Sequence, residues 1–381
     1  MRTFYEFFAG GGMARAGFGD KWDCLFANDF DPKKASSYVS NWGSADMVCS
    51  DVAKLTTEDL PSNADVAWAS FPCQDLSLAG AGAGLKGERS GTFWPFWNLM
   101  LSLKDEGRAP KVVVLENVCG ALTSHDGKDF SEICSALSSA GYKFGALVID
   151  AVHFVPQSRP RLFIIGVEQK VNIAPDLTMQ NPNPAWHSPA LIKAYEKVPS
   201  PIKSQWIWWN LPNPPLREIN FSDLIEENPN NVSWHSRIET EKILGMMNNL
   251  HREKVRRVQD LGVLKVGTIY KRTRPDGYGG RVQRAEVRFD EIAGCLRTPS
   301  GGSSRQLIMV VEGENIRTRL LSPREAARLM GLSDDYCLPE KYNDAYHLAG
   351  DGVAVPVVRF LAEHIVEKLV PSRLSTTDRA A

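Results

Sequence analysis

No Cys-x-x-Cys pair occurs in this chain, and none of its seven cysteines (residues 24, 49, 73, 119, 134, 295 and 337) lies with histidines at zinc-site spacing. The odd count fits reduced thiols better than a disulfide framework, and no structural metal is indicated. A run of about 18 apolar residues that could span a bilayer is also missing. The amino terminus lacks the basic-then-apolar order of a signal peptide, because Met1-Arg2-Thr3 runs directly into Phe4-Tyr5-Glu6-Phe7-Phe8. A cytoplasmic protein with no membrane contact is therefore expected. Net charge is nearly absent as well, at a formal −1, which says nothing of a polyanionic partner until the charges are placed along the chain. The chain does have length. Its 381 residues exceed one simple hydrophobic core and predict two domains, one of them discontinuous.

The first 60 residues read as repeated strand, loop and helix. Aromatic, β-prone residues 3–8 run into Ala9-Gly10-Gly11-Gly12, and a helix can begin at Met13. Glycines at that place let backbone N–H groups approach a ligand at a helix amino terminus, although three glycines alone can mean only a turn. A second strand, residues 23–28, ends at Asp29, about 20 residues after the glycines, where nucleotide-binding α/β folds keep an acid for ribose hydroxyls. Phe30 can lie against an adenine ring or simply pack. Pro32 to Trp42 predicts a helix with proline in its first turn. After a short third strand, Asp51 and Val52 are candidates for the adenine amino group and ring, with a plain turn cap as the alternative for Asp51.

Around Ala69-Ser70-Phe71-Pro72-Cys73-Gln74 a cysteine stands at the end of a predicted strand, stiffened by the proline before it. That arrangement suits a nucleophile held out of a core, with an inert buried thiol as the alternative. Residues 78–91 carry Gly80, Gly82, Gly84, Gly87 and Gly91, the composition of a mobile lid or of a slack surface loop. A helix over 92–103 follows. The continuous apolar run Lys111-Val112-Val113-Val114-Leu115 predicts a strand buried on both faces, ending in Glu116-Asn117-Val118. A carboxylate there is costly unless it is paired or functional. Further on, Arg159 and Arg161 lie two apart in extended chain and point the same way, which suits one anionic or carbonyl-rich ligand.

After about Gln169 the βα rhythm stops. Residues 175–215, with Trp186, Trp206, Trp208 and Trp209, read as irregular loops and short elements. Between Arg252 and Arg288 there are eleven basic residues against four acidic ones, a local balance of +7 in a nearly neutral chain. Interleaved with Tyr270, Tyr278 and glycines, this resembles a nucleic-acid contact surface more than an ordinary solvated face, although Glu226, Glu227, Glu239 and Glu241 can neutralise part of it in space. Lys271, Arg272, Arg274, Arg281 and Arg284 are its candidates, joined by Arg297 and Arg305 around a run of small residues. Arginine is also the side chain that reads guanine best. Ser322-Pro323-Arg324-Glu325 marks a capped helix start. Residues 353–369 predict an apolar amphipathic helix that returns to the first domain.

Together these stretches resemble the DNA (cytosine-5)-methyltransferases. The resemblance rests on Phe8 to Gly12, Phe71-Pro72-Cys73-Gln74, Glu116-Asn117-Val118, Gln157-x-Arg159-x-Arg161, residues 321–331, and Gly350-Asp351-Gly352-Val353-Ala354-Val355-Pro356. It covers nearly the whole chain outside 170–310. It implies an α/β class I S-adenosylmethionine-dependent methyltransferase fold, a Rossmann-like mostly parallel sheet, with a second, smaller DNA target-recognition domain. The expected division is a catalytic and cofactor-binding domain over 1–175, a target-recognition domain over 176–338, and a segment over 339–381 returning to the first. S-adenosyl-L-methionine is the implied donor, held by Phe8 to Gly12, Asp29, Phe30, Asp51, Val52, Pro72, Phe93, Asp351 and Val353. The implied acceptor is a cytosine extruded from double-stranded DNA. Cys73 would add to ring carbon 6, Glu116 would offset charge on the ring, Arg161 would hold the base carbonyl, and Arg159 would order the loop carrying Cys73. Gln74 and Ser77 beside the nucleophile are further candidate DNA contacts. Because the first motif begins almost at Met1, a stand-alone prokaryotic or phage enzyme is expected, a monomer without an obligatory protein partner.

Three positions depart from the family pattern: Glu6 for aspartate, Phe93 for leucine, and Asp351-Gly352 for asparagine-serine. An RNA cytosine methyltransferase of the same family is the nearest rival, and the missing Cys-Phe-Thr tripeptide favours DNA. A non-catalytic derivative leaves Cys73, Glu116, Arg159 and Arg161 unexplained, and a nicotinamide dehydrogenase gives Cys73 and the basic region no role.

Overall fold

The apolar run before Glu116 forms β5, and its neighbours explain why it shows no alternation. The computed structural model describes residues 1–72, 92–276, 279–297 and 305–371. In it, β5 (Val112–Val118) lies inside a seven-stranded sheet whose other members are β1 (Arg2–Phe7), β2 (Trp22–Asp29), β3 (Met47–Cys49), β4 (Val66–Ala69), β6 (Tyr142–Asp150) and β7 (Pro160–Glu168). The order is β3-β2-β1-β4-β5-β7-β6, with every pairing parallel except those of β7. Four helices, α1 (Met13–Phe18), α2 (Pro32–Trp42), α3 (Phe93–Asp105) and α4 (Lys128–Ser139), connect the strands. Pro32 stands at the first position of α2, as the sequence predicts, and Asp31 caps the helix by accepting from Lys33 N.

Residues 176–214 do not open a second domain. They include β8 (Thr178–Met179), β9 (Trp208–Trp209), α5 (Pro189–Glu196) and α6 (Ser200–Lys203), and they cover the outer edge of β6. Phe144 N donates to Gln205 O at 3.0 Å, Ile207 N to Phe144 O at 2.7 Å, and Val148 N to Trp186 O at 2.8 Å. A side chain at Gly145 would put its Cβ 2.0 Å from Ile207 O, so the approach requires glycine. An edge strand that would otherwise present unpaired amides is closed by this segment.

The second unit holds Ala151–Arg159 and Pro215–Gly352; Met1–Asp150, Pro160–Pro214 and the chain from Val353 make the first. The division thus falls at 214/215 and 352/353 instead of 175/176 and 338/339. In the second unit α7 (Arg237–Gly245) and α8 (Asn249–Asp260) belong with an antiparallel sheet ordered β11-β10-β12-β13. Its strands are β10 (Lys265–Pro275), β11 (Arg281–Arg288), β12 (Leu307–Glu312) and β13 (Asn315–Leu320), and its core is built from residues such as Ile243, Val255, Ile269, Val287 and Met309. The expected cap at α9 (Pro323–Arg328) is a capping box between Ser322 and Glu325. Glu325 also binds the fully buried Arg319 through both oxygens, at 2.6 and 2.8 Å, so neither buried charge stands alone. This unit ends with α10 (Tyr342–Asp351).

The final helix returns to the first unit, as expected, but begins at Val355. It runs as α11 (Val355–Leu361), loosens into a π-helical stretch, Ala362–Val366, and finishes at Leu369. Arg359 Nη1 donates to Phe18 O at 2.6 Å, and Trp22 Nε1 to Glu367 Oε1 at 3.1 Å. No helix among the described residues is long and apolar enough to cross a membrane.

Candidate active site

Parallel strands bring their carboxyl ends to one edge of a sheet, and antiparallel β7 brings its start there. Phe8 to Gly12, Asp29, Phe71-Pro72, Glu116 and Arg161 therefore share that edge of the first unit. The strand order reverses direction between β1 and β4, the place where open α/β sheets bind ligands.

At the end of β1 the backbone is bent out of ordinary geometry. Phe8 holds φ +56° although it carries a side chain, a strain that clusters at ligand sites. Gly10 shares that φ, and a Cβ built there meets nothing within 4 Å, so the loop leaves open space above itself. Asp29 fixes this loop: Oδ2 accepts from Gly10 N at 2.8 Å and Oδ1 from Asp31 N at 2.9 Å. Burial raises the Asp29 pKa above the usual carboxylate range. Phe30, beside it, is 67% exposed. Asp51 accepts from Ala53 N at 3.0 Å, the turn cap that the sequence left as an alternative, while Val52 is buried. Phe93 has no exposed surface and packs between Phe71 and Trp97, so it shapes this region from behind. Val353 is buried in the first unit, whereas Asp351 ends α10 in the second.

Sequence reasoning missed what supports the loop from below. Trp42, the last residue of α2, donates from Nε1 to Gly11 O at 3.0 Å. The Arg15 guanidinium lies 5.2 Å from the Trp42 ring and 5.6 Å from the Tyr38 ring, and Nη1 donates to Tyr38 Oη at 2.7 Å and Asp46 Oδ2 at 2.9 Å. Glu6 lies buried beneath, where desolvation pushes its carboxyl up to about 8 against the pull of the Arg15 and Ala14 amides. Nothing in the spacing of Trp42 announces its bond, which joins elements 31 residues apart.

On the other side of β1 stand Glu116 and Arg161, two of the four catalytic candidates. Cys73, Gln74, Ser77 and the glycine-rich segment lie outside the described residues. Glu116 and Arg161 emerge from adjacent strands and form an ion pair, Arg161 Nε to Glu116 Oε1 at 3.2 Å, with both side chains largely buried. A second missed residue is Asn117. Its Nδ2 donates to Phe71 O at 3.2 Å and its Oδ1 accepts from Val118 N at 2.8 Å, tying the end of β4 to the end of β5. Its place beside Glu116 was the available signal. Burial pushes the Cys24 thiol up to about 12 and the Cys119 thiol up to about 11, and raises Cys134 as well, which makes these three poor nucleophiles.

Arg159 falls in the second unit and is 2% exposed. Its Nη2 donates to Gly350 O at 2.8 Å and Gly352 O at 2.7 Å, and its Nη1 to Cys295 Sγ at 3.2 Å and Leu296 O at 3.4 Å. The basic candidates are sorted by strand alternation. Arg272 stands directly opposite Arg284 on the face that carries Arg274, while Lys271 and Arg281 point to the other face. Arg297 is exposed; Arg305 lies over Tyr342 and donates to Asn343.

The pattern of the family described as C-5 cytosine-specific DNA methylase matches residues 2–367. The chain belongs to that family. As a C-5 cytosine-specific DNA methylase it is an enzyme that transfers a methyl group from S-adenosylmethionine to carbon 5 of cytosine in DNA. Among its relatives, the Type II methyltransferase M.BsuFI of Bacillus subtilis is 27% identical over 370 residues, covering 97% of this chain and 73% of the relative. The Type II methyltransferase M.NlaX of Neisseria lactamica is 26% identical, covering 96% of each chain. The solved methyltransferase EhMeth of Entamoeba histolytica shares the methylase fold at a TM-score of 0.64 and 16% identity, covering 97% of this chain and 99% of its own.

Proposed function

We propose that this methylase works through a transient covalent bond between Cys73 and carbon 6 of a cytosine swung out of duplex DNA, within one specific DNA sequence. The observation that carries the reading is the buried Glu116–Arg161 pair, at the sheet edge where the chain also reaches Pro72, the residue before Cys73 in sequence. Carbon 5 of cytosine is a weak nucleophile until electron density enters the ring, and a thiolate adding at carbon 6 supplies it. The Glu116 carboxyl meets ring nitrogen 3 and shares a proton with it, which offsets the developing negative charge. Arg161 keeps that carboxyl oriented and faces the base carbonyl. Loss of the carbon 5 proton and departure of Cys73 restore the aromatic ring.

S-adenosylmethionine supplies an electrophilic methyl group on a sulfonium. The residues at the end of β1 and β2 fit such a group: Gly10 leaves open space where a side chain would stand, and the exposed Phe30 ring offers a stacking face. Asp29 accepts ribose hydroxyls with the lone pairs that Gly10 and Asp31 leave it. The base cannot be reached inside a duplex, and extrusion costs a few kcal/mol. Contacts from the β10–β11 hairpin, Arg272, Arg274 and Arg284 among them, offset this cost. Relatives named as Type II methyltransferases support a place in a restriction-modification system.

Bisulfite sequencing of DNA from cells expressing the protein tests the reading: one new methylated motif is expected, and its absence counts against the assignment. With 5-fluorocytosine in that motif and donor present, the wild-type chain should become trapped on the duplex and Cys73→Ser should not. Methylation of transfer RNA in place of duplex DNA would favour the RNA reading.

A further inference from the structure

The arginine face of the β10–β11 hairpin carries one acid of its own. Glu286 stands opposite Tyr270 and one diagonal step from Arg272. Its carboxylate takes Arg274 at 2.6 Å, Nε to Oε1, and Arg272 at 3.4 Å, Nε to Oε2. Arg274 reaches back along the strand for this contact, past its own cross-strand partner Val282. The Arg272 guanidinium also lies 5.5 Å from the Tyr270 ring, so it is held by a ring and a carboxylate together. Arg288, the last basic residue of this face, is bound by Asp290 instead.

Two consequences follow from charge alone. Arg272 and Arg284 stand directly opposite each other, a like-charge arrangement that is unfavourable without a counterion, and Glu286 provides one. The same carboxylate offers two guanidiniums the oxygen atoms that a phosphate would offer them, so any duplex approaching this face must displace it. Its hold on a proton agrees: the Arg274 guanidinium keeps the Glu286 carboxyl below the usual carboxylate range.

We infer that Glu286 is a specificity-determining residue, an internal competitor that weakens binding to arbitrary duplex while keeping Arg272 and Arg274 ordered for a target. Phosphates alone are present on every sequence and must compete with an acid already in place. A target adds base-edge acceptors, such as the guanine N7 and O6 pair, that can satisfy a released guanidinium where a lone phosphate contact does not. This rests on the reading above that the hairpin face meets DNA.

The test is duplex binding by the full chain, followed by fluorescence anisotropy over a salt series. The probes are a duplex bearing the motif found by bisulfite sequencing and a scrambled duplex of equal length. Glu286→Gln is expected to tighten scrambled-duplex binding roughly two- to fivefold, the range in which a partly exposed ion pair acts. Its salt dependence should steepen by about one charge. Binding to the motif should change less, so that the preference ratio falls, and Glu286→Asp should keep the wild-type salt slope. An unchanged ratio in Glu286→Gln, with Arg274→Ala still weakening both duplexes, overturns the inference and leaves the DNA face standing. If Arg272→Ala and Arg274→Ala change neither affinity, the DNA-face reading fails and the inference with it.

Discussion

Asn117 satisfies two backbone groups at once, and both lie beside the residues proposed for catalysis. Its amide holds Phe71 O, two residues before Cys73, while its own backbone follows Glu116 directly. Asn117→Ala leaves a buried carbonyl without its donor, at a cost of about 1–3 kcal/mol. The expected result is a kcat lower by roughly tenfold, with the KM for S-adenosylmethionine little changed, in steady-state methylation assays. Asn117→Asp, which offers an acceptor where a donor is needed, should not rescue it. Glu6 gives a second prediction, in pH. Desolvation raises its carboxyl to about 8 in the folded chain from an ordinary 4.5. The folded state thus keeps a proton that the unfolded chain releases in that window. The stabilisation is full below pH 4.5 and is lost as pH rises through 8, a slope worth on the order of a few kcal/mol. Glu6→Gln should flatten it in denaturant melts at pH 5 and pH 8. Glu6 stood out in the sequence as a departure from aspartate; its burial could not, because it depends on α1 and α2 closing over it.

At the scale of the element, what was legible was what is local. The helix over Pro32–Trp42 and the strand around Val112–Leu115 follow from a proline and an unbroken apolar run, each read within a few residues. The segment 176–214 looked irregular because its hydrogen bonds go to β6, some 40 to 60 residues earlier in the chain. No periodicity records such a partner. The last helix was expected from residue 353, but Pro356 suits a first turn and the helix begins at Val355. Its packing also explains Gly17 in α1, where an added Cβ would lie 2.4 Å from Val358 Cβ and 2.8 Å from Val355 O. Gly17→Ala must therefore move backbone, and a loss of about 1–3 kcal/mol is expected in urea unfolding, with the m value unchanged. Equal midpoints for variant and parent would show that α11 yields easily.

For the whole molecule, the order of motifs told the family and the two-unit plan, but not where the chain passes between units. It does so four times, at 150/151, 159/160, 214/215 and 352/353. The short return, Ala151–Arg159, belongs to the second unit through buried bonds. Gln157 Nε2 donates to Leu329 O at 2.8 Å, Ser158 N to Ala293 O at 2.9 Å, and Arg159 reaches Gly350 O and Gly352 O. A fragment of residues 215–352 would leave these carbonyls buried without donors, so it should melt well below the same fragment with residues 151–159 joined by a flexible linker. Equal melting temperatures would mean the strap adds nothing. Anyone exchanging sequence preference between two such methylases by transplanting the contiguous block alone would then leave the host's nine-residue clasp beneath foreign carbonyls. A working chimera has to carry both pieces, however far apart the gene keeps them.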